Sequence, residues 1–161
     1  MKKINIFIAS SSELKHERDE LTDLFLDLNQ ETFYDNGIRL HAERWEYADS
    51  SMRIARKEDE YLNRLRTCEI SITMFWHTLG EYTLEELDVA EVEKKAGRLP
   101  KANYVFFKKP INSLSSELTN FKDSFAERYP SVPTYTFDDY ITLRQQVAEI
   151  IYKNLPMTSN Q

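Results

Sequence analysis

Glu86 is the residue whose type and setting could do chemistry. It lies in the stretch Thr83-Leu84-Glu85-Glu86-Leu87-Asp88-Val89-Ala90, after an apolar run ending in Phe75-Trp76 and a short loop from His77 to Tyr82. Thr83 fits a helix N-cap, and the acidic residues then fall in the first turn, where the helix dipole favours negative charge. A carboxylate placed there sits just past the carboxyl end of a strand, where open α/β sheets bind ligands. The same spacing has a plainer reading. Thr83-x-x-Glu86 matches a capping box, in which the Glu86 carboxylate accepts a hydrogen bond from the Thr83 backbone N–H. Local spacing leaves both readings open.

Other side chains could join Glu86 at such a rim. Ser10, Ser11 and Ser12 offer hydroxyls and backbone N–H groups at a helix start, a setting suited to an anion or to plain capping. Trp45, Trp76 and Tyr82 could stack on a flat ring, or pack in a core. Arg18 could pair with an acid near the rim, or lie on the surface. His16, His41 and His77 fall in different elements and Cys68 has no partner motif, so a metal site is not expected. No G-x-S-x-G motif occurs, and with three glycines in the chain there is neither a P-loop nor a dinucleotide fingerprint.

The elements that must position these residues follow a simple order. Ile4 to Ala9 is a short apolar β-rich run, as expected of a strand covered on both faces. Ser10 and Glu13 have capping-box spacing, and a helix with its stripe at Leu14, Leu21, Leu24, Phe25 and Leu28 runs to Asn36-Gly37. Ile38 to Glu46 alternates like a half-exposed or near-edge strand. Residues 47–51 are loop-like, and helical spacing resumes from Met52 to Arg66. Glu69 to Trp76 is a third, central strand. Leu84, Leu87 and Ala90 can face the sheet from the helix that follows, which Gly97 and Pro100 close. The charged run from Glu91 to Lys95 suggests solvated helix surface. Ala102 to Phe107 is a fourth strand. A helix lies within Leu114 to Tyr129. Val132 to Phe137 is a fifth strand, at an edge because Pro133 cannot donate to a ladder. Asp138 caps a last helix whose stripe is Ile141, Leu143, Val147, Ile150 and Ile151. Pro156 to Gln161 resembles a tail or linker stub. The order βαβαβαβαβα predicts one α/β domain over residues 1–155, a three-layer sandwich around a five-stranded parallel sheet.

Composition narrows the classes. The 161 residues are 41% hydrophobic and 30% charged, with net charge −6. That suits one globular domain and argues against duplex nucleic acid, whose phosphates need a basic face. No run approaches the roughly 20 apolar residues of a membrane span. The N-terminus enters a strand with no signal-peptide pattern, and one cysteine fits a reducing compartment, so a cytoplasmic location is expected.

Several of these stretches together resemble one family. Ile6-Phe7-Ile8-Ala9-Ser10-Ser11, Leu14-Lys15-His16-Glu17-Arg18-Asp19-Glu20-Leu21, Met74-Phe75-Trp76 and Gly80 to Ala90 look like a TIR-like domain. They are closest to the TIR-related group found at the N-terminus of bacterial STAND-type NTPases. The resemblance spans the element order of essentially the whole chain and implies a flavodoxin-like sheet. In TIR enzymes a glutamate four residues before a small residue cleaves NAD⁺. Glu86, four before Ala90, matches it, with Glu85 as the register alternative. The family's nucleotide contacts map to Phe7, Ser10 and Ser11. Two positions depart from the pattern: serines replace the Tyr-Arg type pair after the first strand, and Tyr82-Thr83 replaces Trp-Cys.

The resemblance therefore implies an NAD⁺ glycohydrolase giving ADP-ribose or a cyclic ADP-ribose. Glu86 would be catalytic, and Phe7, Ser10, Ser11, Trp45, Trp76 and Tyr82 would contact substrate. NAD⁺ would be the substrate, with no resident cofactor and no metal. A defence-signalling effector switched on by self-association, with a fused or separate sensor, is the implied setting. The competing expectations are a nucleoside 2-deoxyribosyltransferase-like enzyme and a non-catalytic TIR-type interaction module.

Overall fold

A computed structural model describes residues 1–44 and 55–155, without the side chains of 55–59 and 81. Trp45 and the proposed tail, 156–161, lie outside the described residues. Five strands, β1 (Lys2–Ser10), β2 (Ile38–Arg44), β3 (Ile70–Phe75), β4 (Ala102–Lys108) and β5 (Thr134–Phe137), form one sheet in the order β2-β1-β3-β4-β5. Every pairing is parallel. Helices α1 (Lys15–Leu28), α2 (Ala55–Leu65), α3 (Glu81–Lys95), α4 (Ser116–Arg128) and α5 (Tyr140–Asn154) alternate with the strands. The architecture is the expected α/β three-layer sandwich with a flavodoxin-like strand order.

The period of 2 in the strands sorts the side chains onto two faces. Ile4, Ile6 and Ile8 of β1, with Ile70, Ile72 and Met74 of β3, point to a core closed by α1 and α5. Phe7 and Ala9 point the other way, to Leu62 and Leu65 of α2 and Ala90 of α3. Phe75 and Val105 meet Leu87 of α3 and Leu118, Phe121 and Phe125 of α4. Both faces are covered, which is why β1 and β3 read as nearly continuous apolar runs.

Helix boundaries differ from the sequence expectations where a side chain has a better partner elsewhere. The chain after β1 first makes a 3₁₀ turn, Ser12–Leu14, with no side-chain cap, and α1 begins at Lys15. The anticipated Ser10–Glu13 capping box does not form. α1 passes into a π-helical turn, Asn29–Phe33, and a 3₁₀ turn, Tyr34–Asn36, and Gly37 ends the run in the left-handed region at φ 73°. That stop is the one the Asn-Gly pair implied. α3 begins at Glu81 with Gly80 as N-cap, so Thr83 lies inside the first turn. The last helix is capped by Asp139, which accepts a 2.8 Å bond from the Thr142 N–H, and not by Asp138. Ile141 in its expected stripe is 70% exposed.

Candidate active site at the strand tips

The loops leaving the carboxyl ends of β1, β3 and β4 are tied by one carboxylate and one imidazole. Glu13 Oε2 accepts from the backbone N–H groups of His77 and Thr78 (3.2 and 3.0 Å) and from the Thr78 hydroxyl (2.8 Å). The Ser11 hydroxyl donates to the same oxygen at 3.1 Å. Glu13 Oε1 lies 3.1 Å from His77 Nδ1. His77 Nε2 accepts from the backbone N–H groups of Ile111 and Asn112 at 3.1 and 3.2 Å. An acceptor Nε2 puts the ring proton on Nδ1, which donates to Glu13. Burial pushes the Glu13 carboxyl up, but the bonds from Thr78 and His77 outweigh it and hold its pKa below the usual value. Both nitrogens of His77 are engaged, so it is a strut of the rim and not a free base.

On the α1 side of this rim a second polar cluster is buried. Glu17 is 2% exposed and pairs with Lys108 Nζ at 2.6 Å. The same ammonium lies 3.9 Å from the centroid of the Trp76 ring, whose neighbour His77 stacks at 4.4 Å. Trp76 Nε1 donates to the Lys109 carbonyl at 3.1 Å. Arg18 is buried as well, donating to the Ser10 hydroxyl and, at 2.9 Å, to the Ser11 carbonyl. Arg18 is thus not on the surface, and through these bonds it holds the turn after β1. Helical spacing could not reveal that Glu17 and Arg18 turn inward, because Glu17 answers to Lys108, 91 residues on, and Arg18 to the turn that precedes its own helix.

The Glu86 side of the rim is built from α3. A Cβ added at Gly80 would lie 2.7 Å from Thr83 Oγ1 and 3.5 Å from Ser11 Cβ. The start of α3 therefore lies against the turn after β1, and a side chain at position 80 would collide with the Thr83 hydroxyl. Thr83 is buried, and Ala90 packs with Phe7 and Ala9 of β1. Glu86 falls between these two levels on the helix, and it is 3% exposed. As the sixth residue of α3 it is past the N-terminal positions of a capping box. The capping-box reading fails because the helix starts earlier than Thr83. Glu85, the register alternative, is exposed.

The structure gathers some of the expected residues and separates others. Ser11, Thr83 and Glu86 share one end of the sheet, with the half-buried Tyr82 one turn before Glu86. Phe7 is on the Glu86 face, but it is fully buried in the core with Ala90. Trp76 packs on the opposite face, against the α1–α5 core. Its ring is covered by Lys108 and His77. Trp45 lies outside the described residues. Lower on α3, Glu91 and Glu93 are buried, contrary to the solvated surface expected for this run. Glu91 accepts from Asn103 Nδ2 at 2.7 Å, and Ser71 donates to Asn103 Oδ1 at 2.6 Å. The sheet face beneath α3 is polar there, so α3 meets it with a carboxylate. The sequence signal for this was Ser71 and Asn103 inside otherwise apolar strands.

A cavity of about 540 Å³ opens elsewhere, beside β2 and α1, and Glu86 is not among its lining residues. Among the described residues no helix is long and apolar enough to cross a membrane, and no cluster of three potential metal ligands occurs.

Comparison with known proteins adds little to this geometry. No protein-family model and no curated protein matches the chain. It is similar to a solved structure of rubredoxin oxygen:oxidoreductase from Desulfovibrio gigas, at 13% identity and a TM-score of 0.46, covering 97% of this chain and 37% of that one. It is also similar to the flavodiiron protein from Giardia intestinalis, at 12% identity and a TM-score of 0.37, covering 97% and 38%. The chain spans less than two-fifths of either protein, and neither likeness carries an argument about chemistry.

Proposed function

We propose that this chain is a TIR-like NAD⁺ glycohydrolase with Glu86 as its catalytic carboxylate. The observation that carries the reading is the burial of Glu86 on α3, one helical turn from the buried Thr83 and from Ala90, which packs with Phe7 and Ala9 of β1. Cleavage breaks the bond between ribose C1′ and the nicotinamide nitrogen. The bonding pair leaves with nicotinamide, which goes from cation to neutral and needs no general acid. Positive charge then develops on the ribose, and a fixed anion in a dry setting stabilises it. Water adding at C1′ gives ADP-ribose and a proton; attack by the adenine ring gives the cyclic product. At 3% exposure Glu86 is closed to a dinucleotide, so turnover requires the first turns of α3 to move relative to the Ser10–Ser11 turn. Activation by self-association would supply that opening.

A second reading draws on the same burial and on the place of the cavity. The same low exposure of Glu86, and its absence from the lining of the 540 Å³ cavity, favour a non-catalytic interaction module. Nicotinamide release from NAD⁺ by the concentrated and by the artificially clustered chain separates the two. The hydrolase reading expects release from the clustered chain, its loss in Glu86→Gln and its retention in Glu85→Gln. No release under clustering leaves the module.

A further inference from the structure

The cavity beside the edge strand β2 is independent of Glu86, and its lining is chemically selective. Its volume of about 540 Å³ is typical of small-molecule sites. Phe25, Leu40 and Ala42 supply apolar surface, and among the described residues Arg39, Arg44 and Arg64 line it together with one carboxylate, Glu43. The chain as a whole carries −6, so this cationic concentration runs against its composition. Arg44 is clamped by Asp19 at 2.6 Å and the Thr22 hydroxyl at 2.7 Å. Arg64 approaches Glu43 only at 3.9 Å and its side chain is 58% exposed. Arg39 is exposed, and its partner across the β1–β2 pairing is another cation, Lys3. His41, 3.4 Å from Glu43, has its pKa lowered by burial first, then by Lys3 and Arg39, against the opposing pull of Glu43.

The shape of the occupant follows from the edge itself. An open strand edge invites an added strand, whose pairing would use the outward N–H and C=O of Leu40. Asn29 already holds both: its Nδ2 donates to the Leu40 carbonyl at 3.0 Å, and its Oδ1 accepts from the Leu40 N–H at 2.8 Å. The edge is closed to an extended peptide at that point, while the space beside it stays open. Leu26 and Tyr34 also line it, and both are among the large apolar side chains left exposed.

We propose that this cavity binds a small organic anion of mononucleotide size, with its oxyanion on Arg39 and Arg64 and a flat ring against Tyr34. Guanidiniums suit phosphate and carboxylate through paired N–H donors, and an exposed phenol ring offers a stacking face.

Calorimetric titration of the full chain with AMP, and separately with inorganic phosphate, tests it. AMP is expected to bind saturably at one site, more tightly than phosphate, and more weakly as salt is raised. The double variant Arg39→Gln/Arg64→Gln should weaken AMP by about tenfold or more. Both arginines are exposed or half-exposed, and an unchanged circular dichroism melt confirms that the variant folds. Glu86→Gln should leave AMP binding unchanged, which separates this site from the proposed hydrolase site. Absence of saturable AMP binding, equal affinity in the double variant, or loss of binding in Glu86→Gln alone would overturn the assignment.

Discussion

Lys108 carries three contacts at once: it neutralises Glu17, covers Trp76, and closes the end of β4. Removing its charge would leave the Glu17 carboxylate buried and uncompensated. Lys108→Met keeps the stem but not the ammonium, and the expected cost is roughly 3–5 kcal/mol, the usual penalty for orphaning one member of a buried pair. Urea unfolding of the two proteins measures it, and a difference below about 1 kcal/mol would show that Glu17 finds other compensation. Replacing both partners, as Lys108→Met with Glu17→Leu, should recover most of the loss, because a buried pair and a well-packed apolar pair are often similar in stability. At this scale the sequence was an uneven guide. Glu86 was singled out from its place after a strand, and it is buried where a ligand-binding rim was expected. Glu17 and His77 were not, since Lys108 and the loop after β4 are brought near them only by folding. Ser10-x-x-Glu13 and Thr83-x-x-Glu86 both matched a capping pattern and neither is one. In the first case Glu13 has four donors waiting on His77 and Thr78 across the rim. In the second the helix begins at Glu81 with Gly80 as its N-cap, so Thr83 is already inside the first turn.

Among the elements, the join between α1 and β2 has a distinctive physical logic. The helix loosens into a π turn at Asn29–Phe33, and that turn aims the Asn29 amide at the edge of β2. The amide acts as a one-residue strand, satisfying a backbone N–H and C=O that an edge would leave open. Asn29→Ala removes both bonds at a buried position, and the expected loss is about 1–3 kcal/mol. Thermal or urea unfolding checks it. Sedimentation should also detect concentration-dependent association if the uncovered edge pairs with another chain. Strand and helix identities were legible from periodicity throughout, and β2 and β5 were recognised as edges, by alternation and by Pro133. The π turn was not legible, and the bonds that Asn29 makes there go to Leu40, eleven residues on.

Across the whole molecule, several carboxylates contribute to stability through partners the fold supplies. Arg44 holds the pKa of Asp19 below the ordinary aspartate value, and the Thr142 N–H does the same for Asp139. Glu13 is held below 4.5 by Thr78 and His77 against its burial. A carboxyl with a depressed folded pKa stabilises fully above its unfolded value, and the stabilisation fades as pH falls through the folded value. The midpoint of urea unfolding should therefore be flat near neutrality and drop on acidification below about pH 4.5. Glu13→Gln should lower stability at pH 7 and shrink the acid-induced drop. An equal drop in both proteins would show that Glu13 does not contribute to it.

Alternating apolar stretches, one lone Asn-Gly stop and Pro133 were enough to determine a parallel α/β sandwich and its element order. Those signals are local: periodicity and backbone chemistry act within a few residues. Tertiary structure alone decided which charged residues are buried and with whom, which face of the sheet Trp76 takes, and where a cavity opens. Those outcomes depend on groups that lie distant along the chain and meet only when the strands align, so no stretch of sequence contains them.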